Sequence, residues 1–98
     1  MKRVIRTTPY IVNLDAITTE VAKDNPSAAV ELWLHIDDQV GKLADETHPR
    51  RRGRVKGTKE LVAHENYIVI LEEDAETVTA LNVVHARRQW PPKPKRNK

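Results

Sequence analysis

Apolar residues in the first half of the chain recur at intervals of three and four, which is the spacing of one helical face. The two stripes consist of Tyr10, Leu14, Ile17 and Val21, then of Ala29, Trp33, Ile36, Val40 and Leu43. Thr8–Pro9 precedes the first stripe and Asn25–Pro26 the second, and a polar N-cap followed by proline is a helix-start signal. The pattern predicts helices over 9–23 and 26–45, joined by a two-residue connection into an antiparallel hairpin.

Short strand-like runs, most of them rich in β-branched residues, lie on both sides of this hairpin. One precedes it at 2–7, and three follow it at Lys59–Ala63, Tyr67–Leu71 and Val78–His85. Short polar turns separate the three later runs, which favours an antiparallel meander. The order β-α-α-β-β-β therefore predicts an α+β fold, in which the hairpin packs on one face of a small, mainly antiparallel sheet. We expect the other face of the sheet to be open to a partner.

The remaining segments predict the domain boundaries. Residues 46–58 show no apolar period and contain Pro49, Gly53 and Gly57, so we expect a loop there. Residues 91–98, with the sequence PPKPKRNK, predict a disordered basic tail. A chain of 98 residues is the size of one domain, which we place at 1–90.

Composition excludes several classes of protein. The chain contains no cysteine and no phenylalanine, so it is not a disulfide scaffold and its core is aliphatic. It has no apolar run of membrane-spanning length and no apolar leader, so we expect a cytoplasmic protein without a membrane span. His35, His48 and His64 do not have the spacing of metal ligands. We therefore expect neither a metal nor a cofactor.

The charges are unevenly distributed along the chain. Residues 8–47 carry eight acids against Lys23 and Lys42, whereas twelve of the 17 cations lie in 50–59 and 87–98. Neither of these two basic segments contains an acid. Such a split is typical of a protein with one surface that faces a polyanion, although basic loops and tails also occur because they aid solubility.

From Gly57 to Pro91 the sequence resembles the RelE/ParE superfamily, the toxins of bacterial type II toxin–antitoxin pairs that are often labelled plasmid stabilisation proteins. The resemblance rests on GTKELV at 57–62, NYIVIL at 66–71 and VVHARRQWP at 83–91, and it extends to LDAI at 14–17 and DNPSAA at 24–29. The run from His85 to Pro91 is its most specific part. The fold of that superfamily agrees with the element order predicted above.

The resemblance implies an antitoxin partner that wraps and neutralises this protein. It also implies one of two targets, and the fold does not distinguish between them. RelE-like members cut mRNA in the ribosomal A site, and a ribosome-dependent mRNA endoribonuclease is our first prediction. ParE-like members inhibit DNA gyrase by protein binding without catalysis, which is the alternative.

Cleavage of RNA without a metal needs groups that move protons and groups that stabilise the charge of the phosphorane. His85 can transfer protons near neutral pH, and on an extended strand it shares a face with Arg87. The resemblance adds that Arg87 matches a basic residue which ribosome-dependent members carry after their last strand. It also matches Lys59 to a lysine on a strand of RelE. The predicted catalytic residues are therefore Arg87, His85 and Lys59.

The cations of the two basic segments are candidates for phosphate contacts, and a tryptophan near the end of the chain is a candidate for stacking on a base. This binding set consists of Arg50, Arg51, Arg52, Arg54, Lys56, Arg88 and Trp90. Three departures from the RelE pattern stand beside it, one of which is the missing C-terminal catalytic tyrosine, for which Trp90 is only an approximate substitute. Leu61 and Ile68 occupy positions at which RelE-type enzymes carry basic residues.

Structural roles are the alternative for the same residues. His85 is also explained as a strand-end histidine that bonds to the backbone, and Trp90 as a cap over the edge of the sheet. Lys59 is also explained by a salt bridge to Glu60 or Glu65. These alternatives lead to different geometries, which the structure can distinguish.

Overall fold

The structure, a computed structural model, describes residues 1–87, so Arg88, Trp90 and the predicted tail at 91–98 lie outside the described residues. The elements are β1 (Arg3–Arg6), α1 (Thr8–Asp24), α2 (Pro26–Gly41), a 3₁₀ turn (Lys42–Ala44), β2 (Arg51–Arg52), β3 (Lys59–His64), β4 (Tyr67–Glu73) and β5 (Thr77–His85). The predicted α+β class is confirmed. Within the described range, no helix is both long and apolar enough to cross a membrane.

The five strands form one mixed sheet in the order β1-β5-β4-β3-β2. The predicted antiparallel meander is present as β3, β4 and β5, while β1 pairs in parallel with β5. The sequence did not predict β2, a two-residue strand inside the loop, because two adjacent arginines carry no apolar alternation. It pairs antiparallel with the start of β3 and extends the sheet on the side of the basic residues.

The helical hairpin covers one face of the sheet and forms the main core with it. Tyr10 and Leu14 of α1 and Ile36 of α2 are fully buried against residues such as Val69 and Leu71 of β4. The alternating residues Ile68 and Ile70 lie on the opposite face of β4. They are also buried, in a second cluster with Val84 of β5. The expectation that this second face is open is therefore wrong over β4 and β5, because the run YIVIL buries both of its faces.

The N-cap of α1 is Thr7, one residue earlier than predicted. The Thr7 hydroxyl accepts the Tyr10 N–H at 3.4 Å and donates to the Ala80 carbonyl of β5 at 2.8 Å. Thr7 therefore caps the helix and fixes its start on the sheet, which Thr8 does not do. The predicted cap of α2 is confirmed, since the Asn25 side chain accepts the Ala28 N–H at 3.1 Å.

Candidate functional site

Two glycines shape the segment Arg50–Lys59, which we call the basic loop. The Gly53 N–H donates to the Thr58 carbonyl at 2.8 Å, and a Cβ on Gly53 would lie only 2.8 Å from that same oxygen. Gly57 has a φ of +84°, in the left-handed region that favours glycine. The loop therefore closes tightly just before the start of β3.

A buried carboxylate holds this loop against the sheet. Glu60 of β3 is 1% exposed and accepts hydrogen bonds from the Arg51 guanidinium at 3.0 and 3.2 Å. It also accepts the backbone N–H of Arg54 at 3.0 Å. A buried carboxylate is stable only with such hydrogen-bond partners. Glu60 therefore holds both Arg51 and Arg54 of the basic loop against β3.

A second buried carboxylate lies behind the loop. The side chain of Glu73 is 5% exposed and bonds to the ammonium of Lys2 at 2.7 Å, the guanidinium of Arg50 at 3.0 Å and the ammonium of Lys59 at 3.1 Å. Burial by itself would raise the pKa of Glu73. The hydrogen bonds from Lys2 and Lys59 and the charge of Arg50 outweigh it and hold the pKa below its ordinary value of 4.5.

Between the loop and Glu73 lies a cavity of about 700 Å³, which we call the basic cavity. Its lining consists of Arg50, Arg51, Arg52, Gly53, Arg54, Val55, Lys56, Gly57, Thr58, Lys59 and Glu73. The concentration of guanidinium and ammonium groups around one concave surface makes the cavity a candidate site for an anionic ligand.

The lowered pKa of Glu73 predicts an acid-sensitive contribution to stability. Well above pH 4.5 the carboxylate is ionised in both the folded and the unfolded chain, so the contribution is complete. As the pH falls below 4.5 the unfolded chain takes up the proton first, and the contribution is lost progressively. The difference in unfolding free energy between the wild type and Glu73→Gln, measured with urea, should therefore shrink as the pH falls through this range. A difference that stays constant from neutral to strongly acid pH would contradict this assignment.

The other predicted catalytic residues lie elsewhere. The Nδ1 atom of His85 accepts the backbone N–H of Arg87 at 3.1 Å, as the structural alternative expects. The ring of His85 also makes an edge contact with Tyr67, with ring centroids 5.2 Å apart. Arg87 lies beyond the end of β5, in a turn, and is exposed. The expectation that His85 and Arg87 share one face of a strand therefore does not hold.

The register of the sheet separates Lys59 from His85. Lys59 pairs with Leu71, whereas His85 pairs with Tyr67, so the two lie four residues apart along β4. That separation is ~13 Å at ~3.3 Å per residue. The Lys59 ammonium also points away from His85, towards Glu73. The structure therefore does not bring the three predicted catalytic residues together around one phosphate.

The predicted phosphate-binding residues have three different environments. Arg50 is buried, since its side chain is 6% exposed and is bonded to Glu73 and to the carbonyl oxygens of Leu43, Asp45 and His48. Arg51 and Arg54 lie on the loop and face Glu60. Arg52 and Lys56 are exposed and form no salt bridge with an acid within residues 1–87.

The sequence did not identify the two carboxylates that organise this site. Lys59 pairs with Glu73 rather than with Glu60 or Glu65, and Glu60 serves the loop instead. An acid inside an otherwise apolar strand, next to a run of cations, is the signal that could have indicated Glu60. The pairing of Lys2 with Glu73 joins residues 71 positions apart, and no local pattern indicates it.

A known protein family matches nearly the whole of this chain. The model of the ParE toxin family, the toxin of the parDE type II toxin–antitoxin system, matches residues 4–90. The chain belongs to the ParE toxin family. The candidate toxin Y4kP of Sinorhizobium fredii is 36% identical over 90 residues, which cover 92% of this chain and 94% of that protein.

A chain of the solved chromosomal ParDE system of P. aeruginosa has the same fold, with a TM-score of 0.78. The match covers 87% of this chain and 96% of that one, at 19% sequence identity. The resemblance to the RelE/ParE superfamily is thus confirmed, and the matching family is that of ParE. The family match extends from β1 to beyond β5, so it includes the basic loop and both buried carboxylates.

Proposed function

We propose that this ParE-family protein is a toxin that inhibits DNA gyrase by binding to it, without catalysing a reaction of its own. The observation that carries the proposal is the separation of Lys59 from His85 across the sheet, because a nuclease needs its catalytic groups around one phosphate. Gyrase inhibition, the alternative prediction from the sequence, therefore replaces the first prediction, a ribosome-dependent endoribonuclease.

The individual side chains support a role that does not involve catalysis. The ammonium of Lys59 is engaged by Glu73, and Nδ1 of His85 is engaged by the backbone. Tyr10 is fully buried, and burial, followed by the neighbouring Asp37 carboxylate, raises its pKa well above the ordinary value. Tyr10 is therefore a structural hydrogen-bond donor rather than a proton donor for a substrate.

An antitoxin is the second partner that membership of the family supports. The helical hairpin carries exposed apolar residues, among them Val30 and Leu34, beside a groove of about 400 Å³ that Trp33 and Ala29 also line. Such a groove suits the apolar face of an amphipathic segment. The antitoxin would cover this groove and neutralise the toxin.

Purified toxin is expected to inhibit supercoiling of relaxed plasmid by purified gyrase, and antitoxin added first should prevent the inhibition. His85→Ala should inhibit as strongly as the wild type, because His85 has no catalytic task in this proposal. A nuclease would instead lose about 100-fold in rate on losing a proton-transfer group.

Cells that express the toxin provide the opposite test. Primer extension on mRNA after induction of the toxin should show no cuts inside reading frames. Cuts within reading frames, together with normal supercoiling in the purified assay, would replace gyrase inhibition with the endoribonuclease.

A further inference from the structure

The charges around the basic cavity do not cancel. The basic loop carries six cations, and four of them contact two carboxylates, Glu60 and Glu73, whose side chains are both buried. The cations therefore exceed the acids around the cavity, most clearly at Arg52 and Lys56, which have no acidic partner within residues 1–87. A surface of this kind attracts an anion that supplies several negative charges at once.

The lining of the cavity also restricts the kind of anion. Among residues 1–87, its lining contains no aromatic side chain on which an unpaired base could stack, and such stacking contributes much of the affinity for single strands. Within the same described range, the lining contains no asparagine or glutamine, the side chains that read adenine edges. What it offers is guanidinium, ammonium and hydroxyl groups around a glycine-containing loop, and these are groups that contact phosphates.

We infer that the basic cavity binds the phosphodiester backbone of duplex DNA, independently of base sequence. The inference rests on the proposed function, since an inhibitor bound to gyrase lies beside the DNA that gyrase holds. Glu60 and Glu73 fix the cations that line the wall, while Arg52 and Lys56 extend from the loop to the phosphates. Binding at this cavity would hold the toxin on the complex of gyrase with DNA.

The test compares two double variants of the full chain by fluorescence anisotropy with a labelled DNA duplex. Arg52→Ala/Lys56→Ala removes the two exposed cations of the loop. Each phosphate contact contributes ~0.9 log units of affinity at about 0.1 M salt, so this variant should bind about 60-fold more weakly. Its plot of log affinity against log salt concentration should be flatter by up to ~1.8.

The control variant removes the same charge from another part of the molecule. Lys23 and Lys42 are exposed and pair with Glu20 and Asp38 of the helical hairpin, so Lys23→Ala/Lys42→Ala should retain its affinity and salt dependence. An equal loss in both variants would show that net charge alone governs binding and would overturn the inference. An unchanged salt dependence in the loop variant would overturn it as well.

Two further measurements distinguish duplex DNA from other nucleic acids, and DNA binding at the cavity from gyrase inhibition. Tighter binding to a single strand of the same sequence, or to double-stranded RNA, would overturn the assignment to duplex DNA. Inhibition of gyrase by a toxin that does not bind DNA would overturn the cavity inference and leave gyrase inhibition intact. Binding of DNA through the cavity without any effect on supercoiling would support the inference and contradict the proposed function.

Discussion

Glu73→Ala is expected to lower the free energy of unfolding by about 3–5 kcal/mol, the range for breaking a buried ion pair by removing one partner. The reason is Arg50, whose guanidinium is almost as buried as the carboxylate and has no second salt bridge within residues 1–87. Its bonds to backbone carbonyls remain, but they do not supply a negative charge. Urea unfolding followed by circular dichroism measures the loss directly.

The neighbouring acid provides a matched control. Glu72 is exposed and makes no side-chain hydrogen bond or salt bridge within the described chain. Glu72→Ala therefore removes the same chemical group from the same strand and should change stability by less than about 0.5 kcal/mol. Equal effects of the two substitutions would show that the contacts of Glu73 with its three cations do not contribute to the free energy of unfolding.

Glu73 also shows why the site forms only with the whole fold. Its three cationic partners come from the start of the chain, from the segment after the helices and from β3, namely Lys2, Arg50 and Lys59. Arg50 and Lys59 lie at the two ends of the basic loop, whereas Lys2 belongs to the start of the chain and Glu73 itself to β4. The back wall of the basic cavity is therefore a tertiary feature, although the basic loop itself is a continuous segment.

Much of the fold could be predicted because its signals are local. The helical stripes that contain Tyr10 and Ile36 are periodic, and Asn25–Pro26 is a complete start signal for α2. The cap of α1 could not be located to the residue, because Thr7 and Thr8 are chemically alike and the choice depends on the Ala80 carbonyl of a distant strand. The same limit applies to β1, whose parallel pairing with β5 is a matter of tertiary contact.

The candidate site could be predicted only in part. The basic loop is visible in the sequence as a run of cations, but the roles of its members are not. Arg50 and Arg52 cannot be distinguished from the sequence. In the structure the side chain of Arg50 is buried against Glu73, whereas Arg52 is exposed. Likewise, the sequence pattern places Lys59 and His85 in one catalytic set, and only the register shows that their partners on β4 are four residues apart.

Tyr10→Ala should also lower the free energy of unfolding by about 3–5 kcal/mol, the loss found when a large buried aromatic side chain is truncated. Tyr10 is 0% exposed where α1, α2 and the sheet meet, and its hydroxyl donates to Asp37 at 3.1 Å. Tyr10→Phe removes that one hydrogen bond and should cost only about 0.5–1.5 kcal/mol, since Asp37 keeps the bond from Arg6 at 2.7 Å. The exposed neighbour Val12, changed to alanine, is the control and should alter stability by less than about 0.5 kcal/mol in the same urea titrations. If Tyr10→Phe cost as much as Tyr10→Ala, the hydrogen bond between Tyr10 of α1 and Asp37 of α2 would account for the whole loss, which would contradict a packing role for the Tyr10 ring in the main core.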